Sequence, residues 1–352
     1  MNAPTRVAAA TSVRALALDD PRLAAFVSAH PDATPFHRPG WLAAVERGCG
    51  QKAHYLAADA GGVIIGVLPL TETRSPLFGS ALVSSGFAVD GGILASDAEA
   101  IAALAGGAWD LARTLGIDSV ELRGGAAPDG WQVNEGVYAG FARDLPADEA
   151  SILAAVPRKQ RAEVRRALTF DLDVRIGSGE ADRADHYRVY AESVRNLGTP
   201  VFPRALFDAV LDAFGTDADI LTISRKGAPL ASVLSLYHNG TVYPYWGGGV
   251  FEARQRRAND LMYFALMRHA AERGMRRFDF GRSKTGTGAY AFKKNWGFDP
   301  APLSYASRTA EGAAGREINP LSPRYRLQTA IWRKLPLWAA NRLGPPIARG
   351  LG

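Results

Sequence analysis

"AAERGMRRFDFGRS", Ala270 to Ser283, is a helix end closed by Gly274 and followed by a strand in which one acid, Asp279, stands between Phe278 and Phe280. A glycine just past a helical run is a stop signal, and an apolar-polar-apolar alternation after it is the period of a strand. The same order is written earlier in "ARTLGIDSVELRGG", Ala112 to Gly125, where Gly116 ends the helix and Val120-Glu121-Leu122 forms the strand. The helices in front also agree. Ser96 with Glu99 forms a capping box ahead of Ile101 to Leu115, and Asn259 or Asp260 is placed to cap Leu261 to Arg273. Further upstream each copy has two β-rich runs joined by a tight glycine turn, "HYLAADAGGVIIGVLPL" from His54 and "ILTISRKGAPLASVLSL" from Ile220, and Asn239-Gly240 turns the second copy into "TVYPYW". Each half thus reads as helices, an antiparallel meander, a helix and a strand: an α+β unit written twice.

The expected organisation is an N-terminal domain over 1–148, a second over 149–310 that carries the main cleft, and a tail over 311–352. "LPADEA" is the linker, and "PRKQRAEVRRAL" opens the second half as a helix beginning at Pro157. The length of 352 residues suits two cores rather than one, and 47% hydrophobic with 22% charged residues is a globular composition. Cys49 is the single cysteine, so no internal disulfide forms. The start, "MNAPTRVAAATSVRALALDD", is broken by Arg14, Asp19 and Asp20 before a signal-peptide core builds up, and no apolar run is long enough to span a bilayer. The expectation is a cytoplasmic protein. The net charge of +6 lies wholly in residues 316–352, where seven basic residues meet one acid, Glu317, while the other 34 basic and 34 acidic residues cancel. Binding of nucleic acid by the whole chain loses its main argument. The tail mixes those charges with Trp332, Trp338, Leu335, Leu337 and Leu343, which fits peripheral contact of residues 324–350 with the inner membrane face, or a terminal helix packed back on its domain.

With "FDFGRS" leading into "TGAYAFKKNWGF", the order of elements resembles the GNAT acyltransferase superfamily in its tandem, FemABX-like form, with a BioF2-like acetyltransferase domain in the second half. Together with the tail "NPLSPRYRLQTAIWRKLPLWAANRLGP", it resembles the FemAB-related proteins associated with PEP-CTERM/exosortase polysaccharide systems. The resemblance implies tandem domains, each a mixed, mostly antiparallel sheet flanked by helices. It also implies attack of a neutral amine on an activated carbonyl, which needs positioning and charge stabilisation rather than a covalent nucleophile. The donor is aminoacyl-tRNA or acyl-CoA as co-substrate, and the acceptor is an amine on a nucleotide- or lipid-linked saccharide or peptide precursor. A catalytically silent scaffold for polysaccharide assembly is the reading from another class. No metal and no tightly bound cofactor is implied.

In the family, the lysine of the "FK" pair is thought to stabilise the developing oxyanion, which assigns that role to Lys293 here. The family's phosphate-clamping arginine maps to Arg195, but the aromatic residue expected four positions on is Thr199. Arg282 and Lys284 flank the strand end and suit an anionic substrate. Tyr245, Trp246, Tyr290 and Phe292 are candidates to line the pocket, with core packing as the other reading of each. Arg158, Arg161 and Arg165 fall on one helical face, where they fit donor phosphate or tRNA, or a solvated surface. The loop after Gly281 fails as a phosphate cradle, because Thr287-Gly288 stands where a P-loop needs Lys-Ser/Thr, and it does not open a clear helix. In "RQRRANDL" the small residues expected where CoA diphosphate would sit are altered, and Asp260 would repel it.

Overall fold

The computed structural model describes residues 10–76, 78–313 and 323–352, with the backbone alone over 323–327. Residues 1–9, on which the reading of the chain's start rests, and Arg316 and Glu317 lie outside the described residues. The first half runs β1 (Thr11–Leu16), α1 (Pro21–Ala29), α2 (Pro39–Cys49), β2 (Lys52–Ala60), β3 (Val63–Ser75), β4 (Gly79–Ser84), the short β5 (Leu94–Ala95), α3 (Ala98–Thr114), β6 (Ser119–Arg123) and β7 (Gln132–Asp144). Two helices, α4 (Glu149–Ala155) and α5 (Arg158–Ala167), lead to the second half: β8 (Asp173–Gly177), α6 (Glu180–Leu197), α7 (Arg204–Phe214), β9 (Ala218–Arg225), β10 (Ala228–His238), β11 (Thr241–Gly249), α8 (Ala258–Glu272), β12 (Arg277–Lys284), α9 (Gly288–Asn295) and β13 (Ala301–Thr309). The tail forms α10 (Pro323–Trp332) and α11 (Leu337–Ala348). The repeated α+β pattern is therefore present, with helices flanking a mixed sheet.

Both halves share one sheet, in the order β1-β2-β3-β4-β6-β13-β7-β12-β11-β10-β9-β8. The last strand of each half is exchanged: β13 pairs with β6, and β7 pairs with β12. The sheet thus runs across residue 148 without a break. Neighbours are mostly antiparallel. The two parallel pairs, β4 with β6 and β11 with β12, each share only two register partners before the strands part. Two strands that separate after so short a ladder leave a notch between their C-terminal ends.

The halves are also joined through helices. Gly48 on α2 faces α7 so closely that a Cβ there would lie 2.4 Å from Leu206 Cα. Trp41 of α2, fully buried, stacks on Trp246 of β11 at 5.8 Å and meets Phe36 edge-on at 4.9 Å. Burying such a ring contributes about 2–3 kcal/mol. Removing Trp41 would loosen both halves.

Three local expectations are corrected. α3 is capped by Asp97, which accepts from Ala100 N–H at 2.7 Å, in place of Ser96. α8 starts at Ala258 after Arg257 and has no side-chain cap; Asp260 instead accepts from Gln160 Nε2 at 2.5 Å. The glycine-rich loop does open a helix, α9, because Thr287 caps it by accepting from Tyr290 N–H.

Candidate functional site

A cavity of about 180 Å³ fills the notch between β11 and β12. Tyr243, Tyr245 and Gly247 line it from β11, Asp279, Gly281 and Arg282 from β12, and Lys293 from α9. Tyr263 adds to the lining from α8, and the first half supplies the facing wall through Phe36, Val89 and Asp90.

The sequence builds this site in three moves. Gly281 takes φ +67°, a conformation that side chains disfavour, and the pairing of β12 with β7 shifts register between Asp279 and Arg282. This bulge brings both Asp279 and Arg282 to the cavity. Gly286, also at positive φ, then turns the chain, and α9 carries Lys293 back over the strand it has just left. Lys293 Nζ donates to Gly281 O at 3.1 Å and to Arg282 O at 2.8 Å, with the ring of Phe141 at 5.4 Å. An ammonium has three N–H donors, so one remains for whatever enters.

Electrostatics set this cavity apart. Burial pushes the Asp279 carboxyl up to about 6, against the opposing N–H of Gly281 at 2.7 Å, and the charge of Asp90 pushes it further up. Asp90 is itself raised by burial. Burial pulls Lys293 down to about 8, opposed by the attraction of Asp279. At neutral pH the site therefore holds a carboxylate able to take a proton and an ammonium able to face negative charge. Arg282 has no ion pair among the described residues. Its Nη1 donates to Tyr305 Oη at 2.7 Å, and its guanidinium lies 4.6 Å from the ring centre of Tyr138.

Of the residues singled out in the sequence, Lys293, Arg282 and Tyr245 meet at the cavity, where Tyr245 Oη also donates to Phe87 O at 2.6 Å. Trp246 is not among the lining residues, although a bulge in the β10–β11 ladder leaves its ring 4.8 Å from that of Tyr245. It is 4% exposed and packs on Trp41 and Phe207. Tyr290 packs edge-on against Phe141, and Phe292 lies among Tyr263, Phe280 and Trp296. Neither is among the cavity's lining residues. Lys284 ends β12 outside the cavity, its carbonyl accepting from Thr287 Oγ1. Arg195 is turned to the tail, donating to Arg333 O at 3.4 Å. On α5, Arg158 and Arg165 are exposed, while Arg161 donates to Ala154 O and Val156 O, the free carbonyls at the end of α4. Asp90, Val89 and Phe36 went unread. They come from the other half, and the only local signal was the glycine clustering of "SSGFAVDGG".

The parted strands, the late helix beside them and the doubled pattern define the fold as that of GNAT proteins in tandem. Residues 156–294 match the family model described as "Acetyltransferase (GNAT) domain". Solved structures agree over most of the chain. FemX is 16% identical with a TM-score of 0.66, covering 83% of this chain and 96% of that one. A tandem GNAT protein from the clavulanic acid biosynthesis pathway is 14% identical with a TM-score of 0.54, covering 87% and 100%. The C-terminal domain of a putative lysylphosphatidylglycerol synthetase from Agrobacterium fabrum is 14% identical with a TM-score of 0.56, covering 82% and 91%. At these identities the likeness is one of fold. No curated protein matches the chain in sequence. No helix among the described residues is long and apolar enough to cross a membrane.

Proposed function

We propose that the protein is an N-acyltransferase that moves an acyl group of the aminoacyl type from an activated ester to a primary amine on a cell-envelope or exopolysaccharide precursor. The observation that carries this reading is one cavity holding both a buried ammonium with a spare donor, Lys293, and a carboxyl raised to about 6 with no ion-pair partner among the described residues, Asp279. The amine arrives as an ammonium, and Asp279 takes its proton. The freed nitrogen attacks the ester carbonyl carbon, and the oxygen that becomes negative is met by the third N–H of Lys293. Asp279 releases that first proton to water and takes the second one that the nitrogen sheds on attack; the C–O bond of the ester then breaks, and the second proton passes from Asp279 to the departing oxygen, leaving a neutral amide and a free hydroxyl. Arg282 is the free buried guanidinium for an anionic group of either substrate. Arg158 and Arg165 offer the exposed face for donor phosphates.

An aminoacyl ester is favoured over a CoA thioester by the start of α8, where this fold would present its N–H groups to a diphosphate. Asp260 sits there, raised by burial, with Gln160 of α5 bonded to it at 2.5 Å. The envelope acceptor is supported by the fold likeness to a protein named for lysylphosphatidylglycerol, and the polysaccharide alternative by the PEP-CTERM-type sequence resemblance. Calorimetry with acetyl-CoA and, separately, with charged tRNA tests the donor. Saturable binding of charged tRNA alone is the expected result. Saturable CoA binding replaces the donor, and binding of neither leaves a scaffold.

A further inference from the structure

We infer that the outer face of the tail helices docks on an anionic lipid bilayer. Residues 318–352 hold six basic side chains and no acidic one. The tail is fastened to the body along one side. Ala340, Gly344 and Ala348, one helical turn apart, are buried, with Gly344 against Val201. Arg333 donates to Leu197 O at 3.2 Å, and Gln51 Nε2 donates to Arg349 O at 2.7 Å. The opposite face of α11 presents Trp338, 73% exposed, with Arg342 one turn on. Leu343 on α11 and Ile331 on α10 are 51% and 56% exposed, and Arg333 and Lys334 stand exposed between the two helices.

A bare tryptophan among arginines and lysines is the composition of an interfacial helix, in which the ring enters the headgroup boundary and the cations meet lipid phosphates. A nucleic-acid backbone would reward the cations but leave Trp338, Leu343 and Ile331 in water. The helices are already folded and docked, so binding need not order them. The end of the tail also reaches the cavity's surroundings: Gly352 lies against the ring of Phe87, in the loop whose Val89 and Asp90 line the wall. A docked tail would hold that wall close to the lipid, which suits a lipid-linked acceptor. That last step rests on the function proposed above; the docking itself does not.

Flotation of the full chain with phosphatidylcholine vesicles, with and without phosphatidylglycerol, reads the docking without reference to turnover. Binding is expected only with the anionic lipid and is expected to fall at high salt. Arg342→Ala should weaken it about fivefold, the effect of one charge near such a surface. Trp338→Ala should weaken it by a similar factor, and both sites are exposed, so the fold is retained. Equal binding to neutral vesicles, no binding to either, or unchanged binding by both variants overturns the inference. So does tight binding of an unrelated RNA that the same two substitutions weaken while vesicle binding is unaffected.

Discussion

Where β4 and β6 part, the strand ends in Arg123; where β11 and β12 part, the matching position is Gly281. In the first half Arg123 is 6% exposed, bonded to Glu121 at 2.6 Å, to Ala88 O at 2.9 Å and to Gly352 O at 3.4 Å. The acid is neutralised and the notch is filled. In the second half a Cβ at Gly281 would meet only Val89, at 3.9 Å, and Asp279 has no ion-pair partner among the described residues beside the open cavity. One strand pattern thus yields a locked copy and an open one. The difference turns on whether an arginine or a glycine follows the acid by two residues. In the first half the acid is held in an ion pair, whereas in the second the burial of Asp279 outweighs the Gly281 N–H and the attraction of Lys293 that oppose it.

The largest expected effect falls on the open copy. Lys293→Met removes the cation that faces the developing oxyanion, and turnover should drop about 10²–10³-fold in steady-state assays with little change in thermal midpoint. A retained rate would sink the assignment. The locked copy should respond in stability instead. Arg123→Ala removes a buried guanidinium bonded to Glu121, Ala88 O and Gly352 O and should cost about 3 kcal/mol in urea unfolding. Arg282→Ala breaks no ion pair among the described residues, and the loss of its bond to Tyr305 should cost only about 1 kcal/mol while substrate binding weakens. Equal losses of stability from the two would erase the distinction between the halves.

The same contrast explains what the sequence made legible. The repeat could be read because each copy spells helix, glycine, strand with local periods. Lys293 and Arg282 could be read because they sit within the motif itself. The exchange of β7 and β13 was invisible, since no local pattern states which strand a strand will pair with. Asp90 was invisible for the same reason, as it reaches the cavity only once the two halves share a sheet. α9 was missed because Gly286 and Gly288 argue against a helix, while the single cap of Thr287 and the packing of Phe292 and Trp296 decide for it. Trp246 was legible only as an aromatic beside Tyr245; which of the two adjacent rings lined the notch depended on a bulge in the β10–β11 ladder.

The pH profile is the finest probe of the open copy. Activity needs Asp279 ionised, and burial holds its carboxyl near 6, so kcat/KM should rise as pH rises through about 6. It also needs Lys293 protonated, and burial holds that group near 8, so kcat/KM should fall as pH rises through about 8. The plateau is then narrow, and moving from pH 7 to pH 5 should cost about tenfold as Asp279 takes up its proton. Asp279→Asn should lower the plateau and abolish the acidic limb while leaving the basic limb in place. If the acidic limb survived that substitution, the proton acceptor would lie elsewhere, with Asp90, the other raised carboxyl of the cavity, next to be replaced. Because Glu121 is already paired with Arg123, Glu121→Gln in the first half should leave both limbs where they are, and a shift of either would mean that the locked copy takes part in the chemistry after all.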